Sequence, residues 1–535
     1  MPQPEPRSRY DAIIVGAGHN GLAAAGYLAR AGLSALVVER REIVGGAAVT
    51  EEVAPGCRVS SCSYIASMLT PAVIRDLELA KYGLNMVPCD PALNIPTADG
   101  TLLRLWADPN RTAAELRRYS TKDADRYQRV DAELKKLARY LQPFFLEPPP
   151  NLAAKGLDRL REIARLAARF WGVSGADAAA LVRFMTGSLG EFLDRHFEAP
   201  ETKRLFLGNN VYGKHGGPYD EGSTLGLLFH LLAGGDHGAQ GFTGHVIGGM
   251  GSITRALAQS AEDRGALILT NAPVASIRIR SGAAVGVALA DGREFDAPIV
   301  LSNADPKRTF LTLVDRGALD AEFRADIAAI RMAGPAAKVN LVLSQRPVIV
   351  GMPADATPAE RAVFSVMGDL EGAQRLYDDA RFGGLGEELW VDCVVASEVD
   401  GTLCPPDRHM LTSFVQYVPY RLREGDWNAR REELADRVID LIGRVAPNVP
   451  KCVVARKTLT PLDLEEIYGL TEGNIFHGDL HLGQLFSMRP VPEWSQYKTP
   501  IAGLYLCGAG AHPGGGVTGA PGRNAAMAVL RSKRR

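Results

Sequence analysis

The sequence predicts an α/β fold whose parallel sheet is assembled from separate stretches of chain, and three observations predict it. Near the N-terminus DAIIV, residues 11–15, reads as a short buried strand that runs at once into GAGHNG and then into the Ala-rich helical run LAAAGYLARAG. Near the C-terminus GLYLCGAGAHPGGGVTGAPGRNAAMAV repeats the logic of strand, glycine loop and helix. Between them GGMGSITRALAQSAEDRGALILTNAPVASIRIRSGAAVGVALADGREFDAPIVLSNA reads as helix, strand and hairpin, with turns at Ser281-Gly282 and Asp291-Gly292. This piece returns the chain to the first sheet.

The first unit carries the spacing of a Rossmann-like dinucleotide site. Gly16 allows the tight turn, Gly18 leaves room for a pyrophosphate against the backbone, and Gly21 lets the helix pack closely on the strand. His19 and Asn20 belong to the same turn, and the helix N-terminus faces the anion. A second strand, SALVVE, ends at Glu39, ~20 residues on, where a carboxylate accepts hydrogen bonds from an adenosine ribose and disfavours a ribose 2′-phosphate. A lone GxGxxG is weak, but strand, helix, second strand and terminal acid at the required spacing make chance a minor competitor. Arg40 follows the acid. Gly45, Gly46 and Ala47 then place a second glycine pair where backbone passes close to a bound dinucleotide, and that continuation is the FAD form.

In the closing unit the strand is Leu504–Cys507, the loop runs from Gly508 to Gly519, and a helix begins near Pro521. Gly508, Gly510, Gly515, Gly516 and Val517 are its candidate cofactor contacts. Gly514, Gly515 and Gly516 permit close approach of backbone to an isoalloxazine, and a helix N-terminus there stabilises negative charge. A glycine-rich surface loop is the bland alternative, and a loop between a buried strand and an Ala-rich helix matches it poorly.

The segments GAGHNGLAAAGYLARAG, VGGAAVTEE, VLSNADP, GNIFHGDLHLGQLFSMRP and AHPGGGVTGAPGRNAA together resemble the phytoene desaturase-like flavoproteins, relatives of the flavin amine oxidases, over nearly the whole chain. The resemblance implies non-covalent FAD and a discontinuous FAD-binding domain, 8–75, 241–310 and 495–535, interleaved with an α+β substrate domain, 76–240 and 311–494. It implies that the Val274 backbone meets the adenine, places eukaryotic relatives in mitochondria, and says little about substrate. It also singles out Lys338, the lone charge opening the buried-strand pattern KVNLVL. Flavin amine oxidases carry a lysine near the start of a comparable strand, contacting flavin N5 through a water, whereas phytoene desaturases mostly have an apolar residue there. A strand-end lysine reaching solvent is the bland alternative.

Composition narrows the partners. With 535 residues, 46% hydrophobic and 23% charged, the chain reads as an ordinary globular protein of more than one structural unit. Lys plus Arg, 60, nearly cancels Asp plus Glu, 61, so no whole-chain field favours polyanions and no nucleic-acid partner is expected. The 7 cysteines are odd in number and sparse, which points away from a secreted disulfide framework and toward a reducing compartment. The opening MPQPEPRSR shows no presequence, so a bacterial source implies the cytoplasm. No apolar run reaches the ~18 residues of a spanning helix, leaving membrane contact at most peripheral. Residues 151–196 read as two amphipathic helices facing the core of the second unit, with a membrane surface as the alternative. EPPPNL, 147–152, reads as a linker.

His477 and His481 flank Asp479, but Gly478 and Gly483 break the helix that a two-histidine metal site needs and no third ligand is evident. A loop lining the flavin or substrate pocket is expected instead, with no metal, and His512 is expected to satisfy backbone groups in its loop. Cys57 and Cys62 have the spacing used by flavin-dependent disulfide reductases. Yet 10 residues separate Gly46 from Cys57, GCRVSSCSY reads as a strand, and no second strand-GxGxxG-helix unit offers a site for NADPH. The expected protein is thus an FAD-dependent oxidase or desaturase. Its substrate is a small organic molecule, apolar or amine-bearing, and its electrons pass to oxygen, a quinone or a protein partner. An FAD-containing interaction or regulatory protein is the alternative from another class, and a disulfide oxidoreductase the weaker one.

Overall fold

The computed structural model describes residues 6–208, 212–233 and 243–533. Residues 241, 242, 534 and 535, at the edges of expected segments, lie outside the described residues, as does the stretch 234–240.

Five parallel strands form the first sheet, in the order Leu504–Leu506, Val300–Ser302, Ala12–Val15, Ala35–Val38 and Leu267–Leu269. Ala12–Val15 takes the centre because all four of its residues are buried, as an apolar β-branched run covered on both faces must be. From this strand the sheet grows in both directions, Ile13 pairing with Val300 on one side and with Leu36 on the other. That reversal opens a crevice beyond the carboxyl ends of the strands. Helix His19–Arg30 packs against Gly251–Glu262 and Ala520–Lys533, and Gly18 caps its N-terminus without any side-chain acceptor. Its first amides therefore remain open to an external anion. The expected hairpin is present as Val274–Arg280 and Ala283–Leu289, joined through Ser281 (φ 50°) and Gly282 (φ 76°), both left-handed as a tight hairpin requires.

The second sheet is antiparallel, in the order Val363–Val366, Trp390–Val395, His409–Gln416, Ala336–Leu343 and Val453–Leu459. Along Ala336–Leu343 the alternation of side chains divides the labour. Ala337, Val339, Leu341 and Leu343 join the core that includes Leu434 and Val438 of helix Trp427–Val445. Lys338 and Asn340 point to the opposite face, toward Tyr64 and Ser61.

One expectation is corrected. The span 151–196 forms three helices, Gly156–Arg169, Gly175–Thr186 and Leu189–His196, because the Ser174 and Ser188 side chains accept from Asp177 N and Glu191 N and start new helices there. The first of the three has no buried residue and turns its apolar face outward rather than to the core.

Candidate active site

A cavity of about 450 Å³ starts at the carboxyl ends of the parallel strands and reaches the antiparallel sheet. Of the residues singled out from sequence, Gly16, Gly18, His19, Asn20, Glu39, Arg40, Gly46, Ala47, Val274, Gly516 and Val517 line it. Gly21, Gly45, Gly508, Gly510, Gly515 and Lys338 do not. Those glycines are places where protein packs on protein: a Cβ on Gly21 would lie 2.2 Å from the Gly16 carbonyl oxygen, and one on Gly515 2.4 Å from the Phe476 ring.

The strand-to-helix turn is held from several sides. Glu39, 6% exposed, accepts from Ala17 N at 2.8 Å and from Arg41 N at 2.9 Å, which fixes its carboxylate at the strand end. Gly45 N donates to Ala17 O at 2.8 Å, so the second glycine pair packs on the first loop. The His19 ring nitrogen Nε2 meets Gly516 O at 3.0 Å and ties the two glycine loops together. Burial pulls His19 down to about 4, which leaves the ring neutral. Where His512 is expected to satisfy backbone groups in its own loop, its Nε2 instead meets the Phe144 carbonyl at 2.6 Å, in helix Thr121–Phe145, and so ties the loop to that helix.

Four buried polar atoms of lining residues have no hydrogen-bond partner among the described residues: Asn20 Oδ1, Arg41 Nη1, Arg308 Nε and His477 Nδ1. Orphaned polar groups are costly unless something satisfies them. Together with the uncapped helix N-terminus, the guanidinium groups of Arg40, Arg41 and Arg308, and the glycine turn, they fit a polyanionic dinucleotide. FAD bound there supplies a two-electron acceptor.

The other end of the cavity is aromatic. Tyr64 stacks on Phe414 with centroids 5.7 Å apart, and Tyr212 meets Phe414 edge-on, also at 5.7 Å. Behind Tyr64 lies Lys338, 1% exposed, so it is not a strand-end lysine reaching solvent. Its Nζ sits 3.9 Å from the Tyr64 ring centroid and donates to Thr412 Oγ1 at 2.8 Å. Thr412 donates to Asn340 Oδ1 at 2.6 Å, and Asn340 Nδ2 to Ser61 O at 3.2 Å. The register places Lys338, Phe414 and Asp392 in one row across three strands. Burial lowers Lys338 to about 7 and raises Asp392 to about 7, since each loses water around its charged form. The thiols are unlike a reductase pair. Cys57 lies in a strand paired with Thr50–Ala54, and burial raises the Cys62 thiol to about 12.

Sequence reasoning missed Arg489, although it stands in one of the quoted motifs. Fully buried, it donates to the carbonyls of Ala509, Gln484, Gly478 and Phe476, and so clamps the loop containing His477 to the C-terminal glycine loop. Arg489→Met is expected to cost roughly 3 kcal/mol or more by stranding those carbonyls. Thermal melting checks it: a melting temperature within about one degree of wild type would show that the clamp contributes nothing.

Comparison with known proteins agrees with this geometry. Residues 21–530 match the family described as flavin containing amine oxidoreductase. A mouse (Mus musculus) protein, pyridine nucleotide-disulfide oxidoreductase domain-containing protein 2, is 39% identical over 98% of this chain and 94% of its own length. The lycopene-forming phytoene desaturase of Pseudescherichia vulneris is 24% identical over 97% of this chain and 98% of its own. Among solved structures, a putrescine oxidase variant superposes with a TM-score of 0.62 at 17% identity, covering 99% of this chain and 100% of its own, which speaks to the fold. The chain belongs to the flavin containing amine oxidoreductase family and is an FAD-dependent oxidoreductase.

Proposed function

We propose that the protein oxidises a neutral, apolar organic substrate bound against Tyr64, Tyr212 and Phe414. One observation carries this reading: among the described lining residues the only carboxylate is Glu39, at the strand end, where two backbone amides already hold it. A desolvated ammonium substrate needs a counter-charge or a free aromatic face. The Tyr64 face already carries Lys338 Nζ. An apolar molecule needs neither. The likeness to a phytoene desaturase supports the same side of the choice.

In this reading segments 8–75, 241–310 and 495–535 form the FAD-binding domain, and 76–240 with 311–494 the substrate domain. The core around helix Ala321–Ala329 suggests that the first domain extends past residue 310, because Phe323 and Ile327 pack with the parallel sheet. Gly16, Gly18, His19 and Asn20 hold the pyrophosphate, Glu39 the ribose, and the Val274 backbone the adenine. Arg40, Gly46 and Ala47 flank the same stretch of cofactor, and Gly516 with Val517 approaches its flavin end. Gly21, Gly45, Gly508, Gly510 and Gly515 shape the cradle. Lys338 supplies a positive charge behind Tyr64. Electrons leave to oxygen, a quinone or a protein acceptor, and free cysteines suit a reducing compartment.

Anaerobic titration tests the substrate class. Neutral polyenes or terpenes are expected to bleach the bound flavin, and alkyl amines to leave it oxidised. Bleaching by amines alone would overturn the reading.

A further inference from the structure

Helix Gly156–Arg169 is mounted the opposite way to a core helix. Its inner side carries ion pairs, Arg165 to Glu162 at 2.9 Å and Arg169 to Glu147 at 2.8 Å. Leu166 and Phe170 complete that side, Phe170 stacking on Phe144 with centroids 5.9 Å apart. The outer side is apolar: Leu157 is 71% exposed, Leu160 62%, Ile163 55%, and Trp171, just past the helix, 88%. Leu157, Leu160, Ala164, Ala167 and Trp171 recur at spacings of three and four and so form one stripe. A large contiguous apolar stripe left in water marks an interaction surface.

Charge identifies the partner. Over residues 155–171, Lys155, Arg159, Arg161, Arg165 and Arg169 outnumber Asp158 and Glu162. Lys155, the N-cap, and Arg159 and Arg161 on the helix that bears the stripe are exposed, Arg161 pairing with Asp158 at 2.9 Å. We propose that this stripe lies in the surface of an anionic lipid bilayer, with the flanking cations at the headgroups and Trp171 at the boundary. A second copy of the chain on the same stripe would set net positive against net positive, which disfavours it. No helix among the described residues is long and apolar enough to cross a membrane, so the contact is with the surface. The segment leading into the helix is anchored to the body: Ser487 Oγ donates to Pro150 O at 2.6 Å, and Gln496 Nε2 to Pro149 O at 2.7 Å. Docking would therefore orient the whole enzyme on the bilayer.

The test is co-sedimentation of the flavin-loaded protein with sucrose-loaded vesicles of phosphatidylcholine, with and without phosphatidylglycerol. Wild type is expected to pellet with the anionic vesicles and about tenfold less with the neutral ones. Leu160→Asp/Trp171→Ser is expected to lose at least roughly tenfold of the anionic binding while keeping the wild-type flavin spectrum. Absence of wild type from the anionic pellet would overturn the proposal, as would undiminished binding by the double variant. A wild-type dimer that becomes monomeric in the double variant, with no vesicle binding, would assign the stripe to a second copy and overturn it equally.

Discussion

Gly18→Val protein is expected to purify folded but colourless, with less than about a tenth of the wild-type FAD content. A Cβ on Gly18 lies 2.7 Å from Asn303 Nδ2 and otherwise meets no atom closer than 3.8 Å. The amide of Asn303 is the mobile end of a side chain, so it can swing aside and the fold survives. The cavity does not. Gly18 and Asn303 both line it, and the two branching methyls take the space at the uncapped helix N-terminus where the phosphates must sit. Gly18→Ala is expected to be intermediate. Far-UV circular dichroism separates loss of cofactor from loss of fold, and a Gly18→Val protein that retains its flavin would show that the pyrophosphate lies elsewhere.

Lys338→Met is expected to slow oxygen-dependent reoxidation of the dithionite-reduced holoprotein by about tenfold or more, equivalent to ~1.4 kcal/mol on the barrier. FAD content is expected to change by less than about twofold, because Lys338 does not line the cavity. The effect should arise from charge: a buried cation 3.9 Å from the Tyr64 ring is little screened by solvent and stabilises negative charge developing on oxygen. The sign follows from the direction of the shift. Burial lowers Lys338 to about 7, so the cationic form prevails below that pH and is lost above it. Wild-type reoxidation should therefore fall as pH rises through about 7, and the Lys338→Met rate should be flat there. Stopped-flow absorbance follows both without a known substrate. Equal rates in variant and wild type, or identical pH profiles, would make Lys338 a structural residue.

What could be read from the sequence was local. Gly16, Gly18 and Glu39 stand at fixed intervals because one strand, one turn and one helix must meet one ligand, and such a constraint leaves a pattern in neighbouring residues. The hairpin at Ser281 and Gly282 was legible for the same reason. Tyr64, Tyr212 and Phe414 left no such trace, since each comes from a different part of the chain and only sheet register and packing bring the rings together. The C-terminal loop was legible as a glycine loop, yet a glycine is required equally by a ligand and by a neighbouring ring. Gly515 gives way to Phe476, which no local pattern distinguishes from giving way to a flavin. Likewise, the periodicity of Gly156–Arg169 reveals one apolar face without saying what that face meets; the outward orientation is set by the Glu147 and Phe144 contacts on the other side. Arg489 escaped because its hydrogen-bond partners are backbone carbonyls, which no pattern of side chains marks.

The most direct test of the account is the flavin content of wild-type protein, taken from the visible spectrum of the purified chain and from chromatography of what denaturation releases. A flavin spectrum and close to one FAD released per chain is the predicted result, since one cavity joins both glycine loops to the aromatic pocket. A colourless protein that cannot be reconstituted with FAD would contradict the assignment of that cavity and the chemistry built on it.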